Sequence, residues 1–162
     1  MCVPEIHHRR SIRLEGYDYS RPVAYFVTIC AHKRKYLFGN IVNDEMALSE
    51  YGKIVENVWY NLTGHYQNIK LDKFIVMPNH IHGIIILMDM DDVGAGFKPA
   101  PTDLTKYYPL SEIVRAFKTF SARHVNELRI TPGIPVWQRN YHEHIVRNEN
   151  ELNRIREYIM NN

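Results

Sequence analysis

Two histidines one residue apart, His80 and His82 in the stretch MPNHIHGIIIL (residues 77–87), have the type and spacing for metal chemistry. Side chains alternate across a β-strand, so the pair shares one face, about 6.5–7 Å apart along the backbone. Ile81 between them points to the opposite face. Two imidazoles so placed can converge on one cation, which supplies positive charge to an oxygen that is gaining negative charge. The same spacing also suits two half-exposed, hydrogen-bonded histidines at the start of a strand. Imidazole favours zinc or another transition metal over Mg²⁺, and this strand carries no third ligand.

The last helix offers the missing groups. Asn148, with Glu151 three residues on, has the pattern of a capping box. Beyond it Leu152, Ile155 and Ile159 form an apolar stripe, and Tyr158 and Asn162, four apart, are neighbours beside that stripe. A phenol beside an amide oxygen supplies a nucleophile and a third ligand. A tyrosine at the margin of a packed helix is also, commonly, a core residue with its hydroxyl at the surface. A second tyrosine, Tyr141, stands next to His142, Glu143 and His144. Alternation puts Tyr141 and Glu143 on one face and His142 with His144 on the other, which makes a second pair of the same spacing.

These residues need elements to hold them. YFVTIC (residues 25–30) reads as a strand. SEYGKIVENVWYNL reads as a helix, with Ser49 as its cap and Ile54, Val55, Val58, Trp59 and Leu62 at helical spacing. IKLDKFIVM and HIHGIIILM read as two strands joined at Pro78 and Asn79, an antiparallel hairpin. Residues 89–109 hold four Asp, two Gly and three Pro without periodicity, which predicts an exposed, mobile loop inside one domain spanning 1–162. A helix follows with Leu110, Ile113, Val114, Phe117, Val125 and Leu128 on one face and Arg115, Lys118, Thr119, Ala122, Arg123 and Asn126 on the other, ended by TPGIP. VWQRNYHEHIVR reads as a strand. The order strand, helix, strand, strand, helix, strand, helix predicts an α+β fold, helices on a mostly antiparallel sheet, close to a ferredoxin-like arrangement.

The chain has 162 residues, of which 45% are hydrophobic and 23% charged. That length and balance leave room for one real core. No apolar run approaches the roughly 18 residues that cross a bilayer, and the N-terminus lacks the apolar stretch of a secretory signal, so no membrane partner is expected. Cys2 and Cys30 give neither zinc spacing nor a disulfide framework, which fits a reducing cytoplasm. Net charge is only +2, but it is unevenly spread: residues 1–40 carry seven Lys/Arg against three acids, and residues 41–110 carry five against nine. Arg9, Arg10, Arg13, Lys33, Arg34 and Lys35, with Arg115, Lys118 and Arg123 on the penultimate helix, can neutralise phosphates or simply form solvated faces. Tyr17, Tyr19, Tyr107 and Tyr108 can stack on unpaired bases or serve in packing.

A His–hydrophobic–His strand followed by a tyrosine on a late helix resembles the HUH single-tyrosine transposases. Within that group the sequence is most similar to the REP-associated tyrosine transposases, linked to repetitive extragenic palindromes. The resemblance is carried by SIRLEGYDYSRPVAYFVTIC, FIVMPNHIHGIIIL, VWQRNYHEHIVRN and the helix ending REYIMNN. It implies an HUH-endonuclease fold and an enzyme that nicks and rejoins DNA. Tyr158 would be the nucleophile, and His80 and His82 ligands of Mg²⁺ or Mn²⁺, in place of the zinc that imidazole alone suggests. Asn162 would be a third ligand, where insertion-sequence relatives carry Gln. The implied substrate is single-stranded DNA flanking a palindromic hairpin, cut through a 5′-phosphotyrosine intermediate. The implied setting is the bacterial cytoplasm with its nucleoid DNA, as monomer or homodimer. The resemblance ranks Tyr158 above Tyr141 and leaves Glu143 and His144 as hydrogen-bonded supporting groups. Two other readings stay open: a hairpin-DNA-binding module without chemistry, and an unrelated zinc hydrolase using His80, His82 and His144.

Overall fold

The β-branched and aromatic run VAYFVTIC forms strand β1 (Val23–Cys30), an inner strand of the sheet. β1 pairs antiparallel with β5 (His80–Leu87) on one side and β6 (His142–Val146) on the other. β4 (Ile69–Met77) closes the far side of β5, giving the order β4-β5-β1-β6. Helix α1 (Glu50–His65) connects β1 to β4, and α2 (Leu110–Leu128) connects β5 to β6. This βαββαβ unit with an all-antiparallel sheet is the ferredoxin-like arrangement expected from the element order. A third helix, α3 (Glu149–Met160), follows β6. The computed structural model describes residues 23–88 and 107–162. Cys2, Arg9, Arg10, Arg13, Tyr17 and Tyr19 lie outside the described residues, as do residues 89–106 of the expected loop.

Alternation along the strands builds two separate cores. On one face Tyr25, Val27, Ile29, Ile81 and Ile85 meet Val55, Trp59, Ile113 and Phe117 of α1 and α2, all fully buried. Burial of each such side chain contributes about 1.5–3 kcal/mol. On the other face Ile84 and Val146 meet Leu152 and Ile159 of α3, with Phe26, Ile75 and Ile155 at the edges. The sheet thus carries two helices on one side and one on the other. Among the described residues no helix is long and apolar enough to cross a membrane.

Two irregularities place functional residues. Trp59 lies so close behind β5 that a Cβ at Gly83 would stand 2.4 Å from its Cζ2, so only glycine fits directly after His82. In β4 the register shifts between Leu71 and Phe74: those two, three apart, oppose Ile85 and Gly83, two apart. The extra residue is a β-bulge, and it reverses the parity of the strand. Leu71 and Phe74 consequently both pack with the α1/α2 core, while Ile75 joins the α3 side.

Several local expectations are refined. A two-stranded ribbon, β2 (Gly39–Val42) and β3 (Glu45–Leu48), was not anticipated. Its Asn43 and Asp44 take positive φ, 52° and 62°. That is the two-residue turn which Asn and Asp tolerate. Its side chains are largely exposed, so no apolar alternation advertised it. β6 is shorter than the stretch VWQRNYHEHIVR: Trp137 makes only an isolated bridge to Ala31. Leu128, expected on the apolar face of α2, is 52% exposed because the last turn runs past the core. Ser49 caps α1 as expected, accepting from the Gly52 N–H (3.1 Å). Asn148 caps α3 (2.9 Å from the Glu151 N–H), but the Glu151 carboxylate reaches the Arg147 N–H (2.7 Å), one residue before the cap.

Candidate functional site

Because β1 lies between β5 and β6, the residues facing α3 form rows across the sheet. One row is His142, Thr28 and His82, from the pairings Thr28 with His142 and Thr28 with His82. The next is His144, Phe26 and Ile84. His80 sits opposite Cys30 at the same end of the sheet. All three strands begin or end there, and α3 runs back across this face to bring Tyr158 over His82.

The imidazoles converge. His80 Nε2 and His82 Nε2 stand 3.1 Å apart. Each ring is held from its other nitrogen. His80 Nδ1 lies 2.7 Å from Asn79 Oδ1, and the Asn79 amide donates to the Arg34 carbonyl (3.4 Å). The Asn79 oxygen therefore accepts, Nδ1 carries the His80 proton and Nε2 keeps a lone pair. His82 Nδ1 bonds Thr28 Oγ1 at 2.8 Å. Phe26 stacks on the His82 ring, centroids 5.3 Å apart, and fixes its tilt. Burial depresses the His80 pKa, with the charge of Arg34 adding to it. Burial, with His80 as second cause, brings His82 down to about 4. Both rings are therefore neutral at pH 7, the form that binds metal.

These residues fit a divalent cation in part. The two Nε2 atoms lie 3.1 Å apart. Two donors each about 2.1 Å from one ion, roughly at right angles, have that separation. The other ring nitrogens make the hydrogen bonds that orient metal-binding histidines. Among the described residues no third His, Cys, Asp or Glu completes a cluster. Asn162 lies past the end of α3, exposed, and no hydrogen bond joins it to either histidine. A cation here would rest on two imidazoles and keep open positions.

Tyr158 completes the constellation. Its hydroxyl is 3.4 Å from His82 Nε2, its ring is edge-on to Phe26 (6.1 Å), and the residue is 51% exposed, so the phenol is open to a ligand. Tyr158 and both histidines belong to one chain. Tyr141 lies elsewhere: it packs with the α1/α2 core, on the opposite face of the sheet from the histidine pair. His144 shares the histidine face, but its Nε2 donates to Glu151 (2.8 Å) at the start of α3. His142 is exposed at the sheet edge beside Thr28.

A clamp sets the rotation of α3. Arg156 Nε and Nη2 both donate to the Asp72 carboxylate (Nε to Oδ2 3.0 Å), and Arg156 Nη1 reaches Glu149 and Asn153. Asp72, next to the core residue Leu71, faces α3 at the start of the β4 bulge. The guanidinium holds its carboxyl below the ordinary carboxylate range.

The basic residues separate into two groups. Arg115 pairs with Glu112 and Arg123 with Glu127, both within α2. Lys118, expected on an outer face, is half-buried and donates to the carbonyls of Gln138 (2.7 Å) and Arg139 (2.8 Å). Lys33, Arg34 and Lys35 are exposed on the turn that follows β1 and lie beside the histidine pair through Asn79. Tyr108 stacks edge-on with Tyr66 (4.9 Å), and Tyr107 packs against the same core. Thr28, Phe26, Asn79 and Asp72 are the site residues that sequence reasoning missed. Only Asn79, adjacent to the pair, had a local signal.

No family model matches the chain. The solved structure of a REP-associated tyrosine transposase bound to a REP hairpin superposes with a TM-score of 0.58 at 17% identity, covering 88% of this chain and 67% of that one. A Deinococcus radiodurans protein provisionally described as a transposase gives 0.51 at 17% identity, over 92% of this chain and 95% of its own. At this identity the likeness is one of fold, and the fold is transposase-like. An uncharacterized protein of Haemophilus influenzae is 39% identical over 165 aligned residues, 97% of this chain and 89% of that protein. The chain belongs to the same family as this Haemophilus influenzae protein.

Proposed function

We propose that the protein is a divalent-metal-dependent endonuclease and strand transferase that acts on single-stranded DNA beside a palindromic hairpin. The observation that carries the reading is the meeting of Tyr158 with two neutral histidines whose Nε2 atoms converge at 3.1 Å, the phenol 3.4 Å from one of them. The hairpin bound to the REP-associated transposase of similar fold supports the choice of substrate. His80 and His82 would hold Mg²⁺ or Mn²⁺, with Asn162 as a third ligand only if the chain end folds inward. A cation there would place positive charge against the scissile phosphate and the phenol oxygen.

The chain's own residues do the rest. Thr28, Asn79 and Phe26 orient the imidazoles, and burial keeps both rings neutral. Tyr158, once deprotonated, attacks the phosphorus. The new Oη–P bond forms as the P–O3′ bond breaks. The 5′-phosphate remains on Tyr158, and the 3′-oxygen leaves, protonated by solvent. Attack by a 3′-hydroxyl on the same phosphotyrosine reverses the step and joins strands without an external energy source. One chain carries both the phenol and the histidines of this site.

A hairpin-binding module without chemistry is the second reading, favoured by the exposure of Asn162 and the lack of a hydrogen bond from it to either histidine. One experiment separates the two. Hairpin oligonucleotides with single-stranded flanks, incubated with the protein and either Mn²⁺ or EDTA, are run on a denaturing gel. A Mn²⁺-dependent covalent adduct that survives Tyr141→Phe and disappears in Tyr158→Phe is expected. An adduct lost only in Tyr141→Phe moves the nucleophile, and binding without cleavage leaves the module.

A further inference from the structure

We propose that Tyr36 is a stacking platform for an unpaired nucleobase of the DNA strand whose phosphate reaches His80 and His82. The inference rests on the function proposed above and assigns it a substrate contact.

Tyr36 is 73% exposed and has no ring partner among the described residues. Other exposed aromatics are spoken for: Tyr60 packs edge-on against Phe74, and Phe120 stacks on His65. The segment that presents Tyr36 is fixed at both ends. Ala31 is fully buried and donates to the Asn79 carbonyl (2.8 Å), and His32 donates to the Val136 carbonyl (2.8 Å). Phe38 is fully buried and donates to the Pro78 carbonyl (3.0 Å). Between these anchors Lys33 and Arg34 take φ of 55° and 53°. Long side chains seldom adopt that region, and such strain persists where the surroundings enforce it, often at ligand contacts. The backbone that presents Tyr36 is therefore held in place beside the site.

The charge around it selects the partner. Lys33, Arg34 and Lys35 are exposed and make no ion pair among the described residues, whereas Arg115, Arg123 and Arg156 are all paired. Three cations that are unpaired among the described residues, beside a ring with no ring partner there, match a polyanion that also offers π-faces, which describes single-stranded nucleic acid. Duplex DNA offers the charge but keeps its bases stacked. The turn also touches the candidate site, because Asn79 bonds both the His80 ring and the Arg34 carbonyl. A strand lying on Lys33 to Lys35 would therefore pass the histidine pair.

The test is fluorescence anisotropy with a labelled hairpin carrying a single-stranded flank, the same hairpin without the flank, and flanked hairpins with one abasic position each. Base stacking commonly accounts for about a tenfold or larger change in affinity. Tyr36→Ala is expected to weaken binding of the flanked hairpin about tenfold, Tyr36→Phe to retain it, and both to bind the blunt hairpin as wild type does. One abasic position should cost wild type the same factor and cost Tyr36→Ala nothing further. Equal binding of flanked DNA by Tyr36→Ala and wild type, or an equal loss on the blunt hairpin, overturns the platform while leaving the proposed function standing if the Tyr158 adduct forms. Failure of wild type to bind either hairpin overturns both.

Discussion

Replacing Asp72 with Asn tests how the fold aims its tyrosine. The side chains of Asp72 and Arg156 are only 13% and 30% exposed. Their double, charge-assisted hydrogen bond is therefore poorly screened by water. Arg156 and Tyr158 are two residues apart, hence about 200° apart around α3. Leu152, Ile155 and Ile159 lie between them, against the sheet. The clamp therefore grips one margin of the helix while the phenol projects from the other. With side chains reaching about 6 Å from the helix axis, a rotation of roughly 10° moves the phenol oxygen by about 1 Å. A shift of that size can cost about 100-fold in rate. The Asp72→Asn change keeps the shape and loses the charge, weakening a charge-assisted pair by about 1–2 kcal/mol after allowing for the exposure of Arg156. Hydrogen exchange should report roughly tenfold faster opening of residues 152–160, with β5 amides unchanged. The adduct assay should show slower covalent capture with unchanged hairpin affinity. Unaltered α3 exchange in Asp72→Asn would refute the clamp, whatever happened to the rate.

Gly83→Ala should lower stability by about 1–3 kcal/mol in thermal or urea unfolding. Its Cβ would stand 2.4 Å from a fully buried Trp59. Thr28→Val should leave the fold intact but weaken Mn²⁺ binding about 10- to 100-fold by calorimetry, since it removes the hydrogen bond to His82 Nδ1. In metal-free protein the His82 ring should titrate near 4 by NMR. An imidazole whose pKa is lower folded than unfolded gives stability that is present above the unfolded value, near 6.5, and lost as pH falls toward 4. His82→Gln should flatten that acid-side decline, and an unchanged slope would exclude His82 as its source. The Asp72 carboxyl, also depressed, should add a decline at still lower pH that Asp72→Asn removes.

The elements were legible where a local pattern carried them. The helical spacing of Val55, Trp59 and Leu62, the caps Ser49 and Asn148, and the hairpin at Pro78 and Asn79 all stand in the fold. The ribbon of β2 and β3 escaped notice because its strands are exposed, although Asn43 and Asp44 marked its turn. The histidine pair was legible because strand alternation is a rule of two, and its parity survives any register. Strand order is another matter. Thr28 could be joined to His82 only after β1 was known to lie beside β5, a pairing across 54 residues. Asp72 faces α3 while Leu71 and Phe74 on either side of it both reach the α1/α2 core only because an extra residue interrupts β4, and nothing in IKLDKFIVM announces a bulge. The two tyrosines show the division most plainly. By sequence Tyr141 and Tyr158 each stand near plausible chemistry. The sheet separates them, because the chain entering β6 turns Tyr141 toward the α1/α2 core while α3 folds back over the opposite face and sets Tyr158 against His82. Residue type and local period are written in the chain, but which faces meet is decided only when distant segments share one core.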